Sequence, residues 1–375
     1  MKTLELLDRL ISFETVSAQS NLPLISFVEA FLKSNGFRVS RIPSPCGLKA
    51  GLYAEIGPEG EGGLLLSAHT DVVPVEGQTW TRPPFRLTTE KDKLFGRGTT
   101  DMKGFVASAL ALAARVDAER LHRPLAILLS YDEEIGCVGL QQMQPDLAPL
   151  LRPPALCIVG EPTQMQVATG HKGKTAYKAT FTGEAGHSAL APKFRNALHL
   201  AADFMSDLRV LQDEFSKVGP FDAAYDIPYS TVHVGKLSGG MALNVVPAEA
   251  EMRFEIRNLA DQDMTLLNKQ VAAFAERFNE GAHAARATVE ITNSYPGLEV
   301  ARNQSWVQDV VLKTQSAPIK VAFGTEAGLL SGMGVPTLVC GPGLMEGQGH
   351  KADEFILESQ LSACDDLLER LVEEL

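Results

Sequence analysis

The chain has 375 residues, 45% of them hydrophobic and 21% charged, with a formal net charge of −12. That length exceeds what one core usually fills, so two domains are expected, and the composition is that of a folded globular protein. The acidic balance, without a lysine or arginine block, argues against nucleic acid or an anionic membrane as a partner.

The N-terminus, MKTLELLDRLISFETVS, carries charges inside its apolar pattern and lacks a small-residue cleavage site, so it does not read as a signal peptide. No run reaches the roughly eighteen apolar residues of a membrane span. The five cysteines (Cys46, Cys137, Cys157, Cys340, Cys364) are scattered and form no CxxC pair. They read as reduced thiols, and the compartment expected is the cytoplasm.

Leu24, Phe27, Val28, Phe31 and Leu32 recur at helical spacing, predicting an amphipathic helix over 24–35 that Gly36 can end. Apolar strand-like runs then alternate with helical stretches to about Pro162, which predicts a mostly parallel sheet covered on both faces. The pattern changes after His171. KTAYKATFTGE, STVHVGKL, AEAEMRFEIR and RATVEIT read as strands, and NALHLAADFMSDLRVL and LLNKQVAAFAERF as helices. Their order, β-α-β-β-α-β, is that of a ferredoxin-like module. From about residue 295 the first pattern resumes and closes with the helix LSACDDLLERLVEEL. The expected fold is therefore α/β: a catalytic domain from 1–172 and 295–375, with a ferredoxin-like lid or dimerisation domain inserted at 173–294.

Four apolar runs end in polar, metal-capable residues. GGLLLSAHTD carries His69 and Asp71, LAILLSYDEE carries Glu133 and Glu134, ALCIVGEP carries Glu161, and PTLVCGPG leads to His350. Asp101 lies in GRGTTDMKG, ahead of a long apolar helix pattern. The carboxyl ends of parallel strands are where open α/β sheets place their sites. Each residue also has an ordinary reading: Asp101 as N-cap of a helix over 102–118, Glu161 as a loop residue, His69 as a half-buried histidine. The conjunction outweighs these, since so many carboxylates at strand ends repel one another unless cations lie between them. Histidines and carboxylates without cysteine suit zinc, cobalt or manganese. Five ligands suit two ions that share a carboxylate and activate a bridging water. The adjacent glutamates divide between one ligand and one general base, and Asp71 can accept the second ring N–H of His69.

HTDVVP, GRGTTDMKG, YDEEIGCVG, GEPT, GHSA and GHKADEF, in this order, resemble the co-catalytic zinc deacylase and peptidase family over essentially the whole chain. The resemblance implies two Zn2+ or Co2+ ions sharing Asp101, with His69 and Glu161 on one and Glu134 and His350 on the other. It implies Glu133 as general base, Asp71 orienting His69, and a cis peptide at Asp101–Met102. From the lid it implies His187 as the oxyanion donor, contributed across a homodimer, and Asn244 with Arg257 as the clamp on a substrate carboxylate. Read locally, His187 is as easily a turn histidine and Arg257 a solvated surface residue. SGG (238–240) and GTEAG (324–328) resemble substrate loops.

Glu161 in GEPT resembles the deacetylase and desuccinylase branches, while GTEAG lacks the arginine that meets a succinyl carboxylate. The substrate this implies is N2-acetyl-L-ornithine, hydrolysed to L-ornithine and acetate in arginine biosynthesis, with Glu326 a candidate partner for its cationic side chain. The rival readings are hydrolysis of another N-acyl amino acid, as in aminoacylases and succinyl-diaminopimelate desuccinylases, and metal-free binding of an acyl amino acid. The second of these predicts a broken ligand set.

Overall fold

The structure is a computed structural model that describes residues 1–279 and 286–375. The chain divides into two compact units, one of Met1–Gly170, Leu298–Lys320 and Thr325–Leu375, the other of His171–Gly297 and Val321–Gly324.

The first unit is built on a nine-stranded sheet. At its centre Leu125–Ser130, Leu64–His69, Leu156–Val159 and Thr337–Val339 lie side by side and parallel. These are the apolar runs of the sequence, nearly every residue buried, as expected of parallel strands covered on both faces. Antiparallel strands flank them: Ala50–Ile56 and Arg38–Pro43 on one side, Ala168–His171 on the other. The register sets His69 opposite Ser130 and Ser67 opposite Val159, so two strands end level and Leu156–Val159 stops two residues short of them.

The helix predicted over 24–35 runs from Leu22 to Ser34, and Gly36, at φ +84°, ends it in the left-handed conformation that glycine adopts freely. The helix predicted over 102–118 is shorter, Gly104–Ala113, and its N-cap is Lys103. Asp101 does not cap it. Its backbone is non-helical, and its carboxylate is engaged by two histidines, described below. Gly104–Ala113 is buried along its whole length between the helices Thr3–Ile11 and Glu358–Val372. Gly160 lets the Glu161 turn approach the first turn of this helix, because a Cβ there would lie 2.0 Å from the Phe105 ring.

The second unit is a four-stranded antiparallel sheet in the order Thr231–Gly239, Glu249–Asn258, Gly173–Thr182, Arg286–Tyr295. Along Gly173–Thr182 buried and half-buried residues alternate, giving the sheet one apolar face. The helices Ala197–Val218 and Met264–Glu276 cover that face, closing a core of Tyr177, Phe181, Phe204, Met252, Phe254 and Val271. Tyr177 stacks on Phe254 with ring centroids 4.7 Å apart. Among the described residues, no helix is long and apolar enough to cross a membrane.

Candidate metal centre

The strand ends of the first unit bring six of the expected residues together. His69 closes its strand, Glu133 and Glu134 follow Ser130, Glu161 follows Val159, Asp101 sits in the turn Thr99–Lys103, and His350 lies beyond the short helix Met345–Gln348. His69 Nε2 is 3.0 Å from Asp101 Oδ1 and 3.6 Å from Glu161 Oε1. His350 Nε2 is 2.9 Å from Asp101 Oδ2 and 3.0 Å from Glu134 Oε2. One carboxylate therefore serves two histidines, an oxygen to each, and each histidine has a glutamate of its own. Donor atoms of His69, Glu133 and Glu161, and of His69, Asp101 and Glu134, lie close enough together for each trio to hold an ion. The Asp101–Met102 peptide is cis.

The electrostatics of this cluster favour a cation. Burial pushes Glu133 and Glu161 well above the usual carboxylate range, with neighbouring carboxylates adding to the effect. Glu134 is pushed up to about 7, by burial first and by Asp101 next. The hydrogen bonds of His350 to Asp101 and Glu134 raise its pKa to about 11. Burial disfavours charge on His69, but the carboxylates around it prevail and its pKa stands well above the ordinary value. Asp101 is held below the usual range: His350 and His69 outweigh its burial. Divalent ions in place of these shared protons would satisfy the same carboxylates, so the donor set fits a metal pair.

Asp71 is placed differently from the expectation. His69 Nδ1 bonds the backbone carbonyl of Asp71 at 2.9 Å, while the nearer carboxylate oxygen lies 3.6 Å away. That carboxylate is occupied by three donors: the Ser17 hydroxyl at 2.6 Å and the backbone N–H groups of Glu133 at 3.0 Å and Glu134 at 3.3 Å. Asp71 thus orients His69 through its main chain and the glutamate turn through its side chain.

Glu326, expected to meet a cationic substrate group, is 1% exposed and accepts the Ser130 hydroxyl at 2.7 Å, behind the strand ends rather than on a face that solvent reaches.

The lid candidates all lie in the second unit. His187 is in the two-residue strand Gly186–His187, paired with Val245–Val246, and the Ser188 N–H donates to the Asn244 carbonyl at 3.0 Å. His187 and Asn244 are therefore neighbours. His187 Nδ1 accepts the Ala189 N–H at 3.1 Å, which leaves Nε2 to carry the proton of the neutral ring. Arg257 is held by Glu255 Oε1 at 2.8 Å and the Tyr295 hydroxyl at 3.1 Å. It lies eight residues further along its strand than Glu249, roughly 26 Å at about 3.3 Å per residue, and so far from the Val245–Val246 end.

Several supporting residues escape the sequence reading. The Cys137 thiol donates to Glu133 Oε1 at 3.3 Å. Lys49 pairs with Asp132, whose other oxygen accepts the Ala18 N–H. Arg97 and Glu354 form a buried pair beside Asp101. Arg97 sits between two glycines within GRGTTD, and Glu354 follows His350 in GHKADE. A charge set inside each ligand motif was the available signal.

The family description "Peptidase family M20/M25/M40" matches residues 65–374. Acetylornithine deacetylase of Pasteurella multocida (strain Pm70) is 35% identical over 98% of this chain and 97% of its own length. The protein of that name from Shigella sonnei (strain Ss046) is 36% identical over 94% and 92%. Among solved structures, an M20 family metallo-carboxypeptidase from Sulfolobus solfataricus superposes with a TM-score of 0.81 at 18% identity, covering 100% of this chain and 99% of that one. A tripeptidase from Staphylococcus aureus gives 0.78 at 16% identity, covering 100% and 97%. At those identities the structures speak for the fold.

Proposed function

The chain belongs to peptidase family M20/M25/M40, and from that premise we propose that it is a metal-dependent amidohydrolase that cleaves N2-acetyl-L-ornithine to L-ornithine and acetate, a step of arginine biosynthesis. The observation that carries the chemistry is Asp101, met by His69 on one oxygen and by His350 on the other. The substrate is inferred from the similarity to acetylornithine deacetylases along nearly the whole chain.

Asp101 would bridge two ions, with His69 and Glu161 completing one position and Glu134 and His350 the other. Zinc or cobalt suits this donor set. When bound, such a pair, typically about 3.5–4 Å apart, activates a water and polarises an acyl carbonyl. Glu133 takes the proton of the attacking water and returns it to the leaving amine. Its raised pKa and its burial suit that exchange. His187 donates its Nε2–H to the oxygen that gains charge, and Arg257 with Asn244 holds the substrate carboxylate.

We read the protein as a cytoplasmic homodimer. An extended acyl amino acid spans only about 10 Å, so His187 and its neighbour Asn244 act on the substrate that Arg257 holds only if they come from a second copy. The edge strand Thr231–Gly239 and the loop after it, where Met241 is 100% and Leu243 101% exposed, offer an apolar surface for the second copy. Four buried free cysteines fit a reducing compartment.

The test is turnover by the zinc- or cobalt-loaded protein of N2-acetyl-L-ornithine, N-acetyl-L-methionine and N-succinyl-diaminopimelate. A preference in kcat/KM for the first is expected, and equal or better turnover of either of the others overturns the substrate assignment.

A further inference from the structure

The bridging position depends on more than its ligands. Glu354 is buried, and its Oε1 accepts the backbone N–H groups of Thr100 at 2.9 Å and Asp101 at 3.2 Å. Its Oε2 pairs with Arg97 Nη1 at 2.5 Å. Arg97 is itself fully buried, and it spends its fork on other segments: Nη1 on the Lys351 carbonyl at 3.3 Å, Nη2 on the Pro74 carbonyl at 3.4 Å and on Gln78 Oε1 at 2.6 Å. The Gln78 side chain then donates to the His350 carbonyl at 3.2 Å. The guanidinium lies 5.0 Å from the Trp80 ring.

The backbone of the shared carboxylate and the backbone of His350 thus hang from one buried ion pair, by Glu354 on one side and by Gln78 on the other. His350 is the ligand most in need of such support. It is 45% exposed at its side chain, whereas Glu134 is 6%, and its φ of +57° is in the left-handed region that a non-glycine residue occupies only when its surroundings hold it there. A buried pair is weak evidence for stability as such, because desolvation offsets most of the attraction. Its geometry here, reaching three segments that converge on one site, accounts for it better.

We propose that the Arg97–Glu354 pair, relayed by Gln78, is the positioning device for one of the two metal positions, the one formed by Asp101, Glu134 and His350, and that Glu354 is a positioning residue for the bridging carboxylate. This rests on the two-metal reading above. It predicts a larger effect at that position than at the other, since the other shares only Asp101 with the pair, and its His69 and Glu161 sit on the parallel strand ends and touch neither Arg97 nor Glu354 in these contacts.

The experiment is zinc titration of metal-stripped protein against a chromophoric chelator, for wild type, Glu354→Gln and Gln78→Ala, with the melting temperature of each metal-free protein measured alongside. For Glu354→Gln, one of two zinc-binding steps is expected to weaken by about 10–100-fold, with the other step, which shares only Asp101, weakened much less. Gln78→Ala is expected to weaken the same step by less. Two wild-type steps in a folded Glu354→Gln protein, or both steps weakened alike, would overturn the proposal. If Glu354→Gln does not fold, Gln78→Ala decides by the same readout. A wild type that binds a single ion would instead overturn the two-metal reading itself.

Discussion

The carboxylate of Asp71 accepts the backbone N–H of Glu133 at 3.0 Å. With the Glu134 N–H and the Ser17 hydroxyl on its other oxygen, this one side chain fixes the turn that carries both glutamates. Asp71→Asn keeps the shape but replaces an acceptor oxygen with a donor, so the turn loses at least one anchor. Turnover is expected to fall by roughly 10–100-fold, the range for partners that orient a ligand. Steady-state kinetics check it, and an Asp71→Asn enzyme with wild-type kcat would show that the turn holds its place without this carboxylate.

Glu133→Gln tests the general base. The side chain is buried, close to isosteric with its replacement, and supplies no oxygen to either histidine pairing described above. Loss of proton transfer predicts kcat lower by about 10²–10⁴-fold, while zinc content by metal analysis stays at the wild-type level. Substantial retained turnover would remove Glu133 from this role.

Arg257→Lys tests the carboxylate clamp. Lysine keeps the charge but lacks the planar fork that meets a carboxylate through two parallel bonds. Charge-assisted hydrogen bonds contribute about 1.5–3 kcal/mol, so KM is expected to rise by about ten- to a hundredfold, with kcat changed much less. A KM equal to wild type would exclude the guanidinium from substrate binding.

What the sequence made legible follows from its physics. Strands buried on both faces read as unbroken apolar runs, so Leu64–His69, Leu125–Ser130, Leu156–Val159 and Thr337–Val339 could be found, and with them His69, Glu133, Glu134 and Glu161 just past their ends. The ferredoxin-like order was readable because Met252, Phe254 and Ile256 alternate with charged residues on a one-sided sheet. Long-range polar pairing was not readable. Arg97 and Glu354 are 257 positions apart and each alone resembles a surface charge. Asp101 looked like a helix cap because an aspartate ahead of an apolar helix has that pattern, and local spacing carries no record of the two histidines that claim it. The same limit applies to Asp71, whose carboxylate proximity to His69 was inferable but whose three donors come from residues 17, 133 and 134.

Glu326 gives a pH prediction. Burial pushes its carboxyl up to about 7, from an ordinary value near 4.3. Between those values the folded protein holds a proton that the unfolded chain has released, so stability is fully present at low pH and is lost as pH rises through about 7. The loss amounts to about 4 kcal/mol at most. Melting of the metal-free protein from pH 5 to pH 8 should therefore show a smaller fall for Glu326→Gln than for wild type. Parallel curves would show that Glu326 titrates normally.

Turnover is expected to belong to the His69–Asp101–His350 arrangement with metal in it. The most direct measurement is hydrolysis of N2-acetyl-L-ornithine by protein stripped of metal with a chelator and then titrated with zinc. Activity is expected to disappear on stripping and to return as zinc is restored. Full turnover by completely metal-free protein would contradict it.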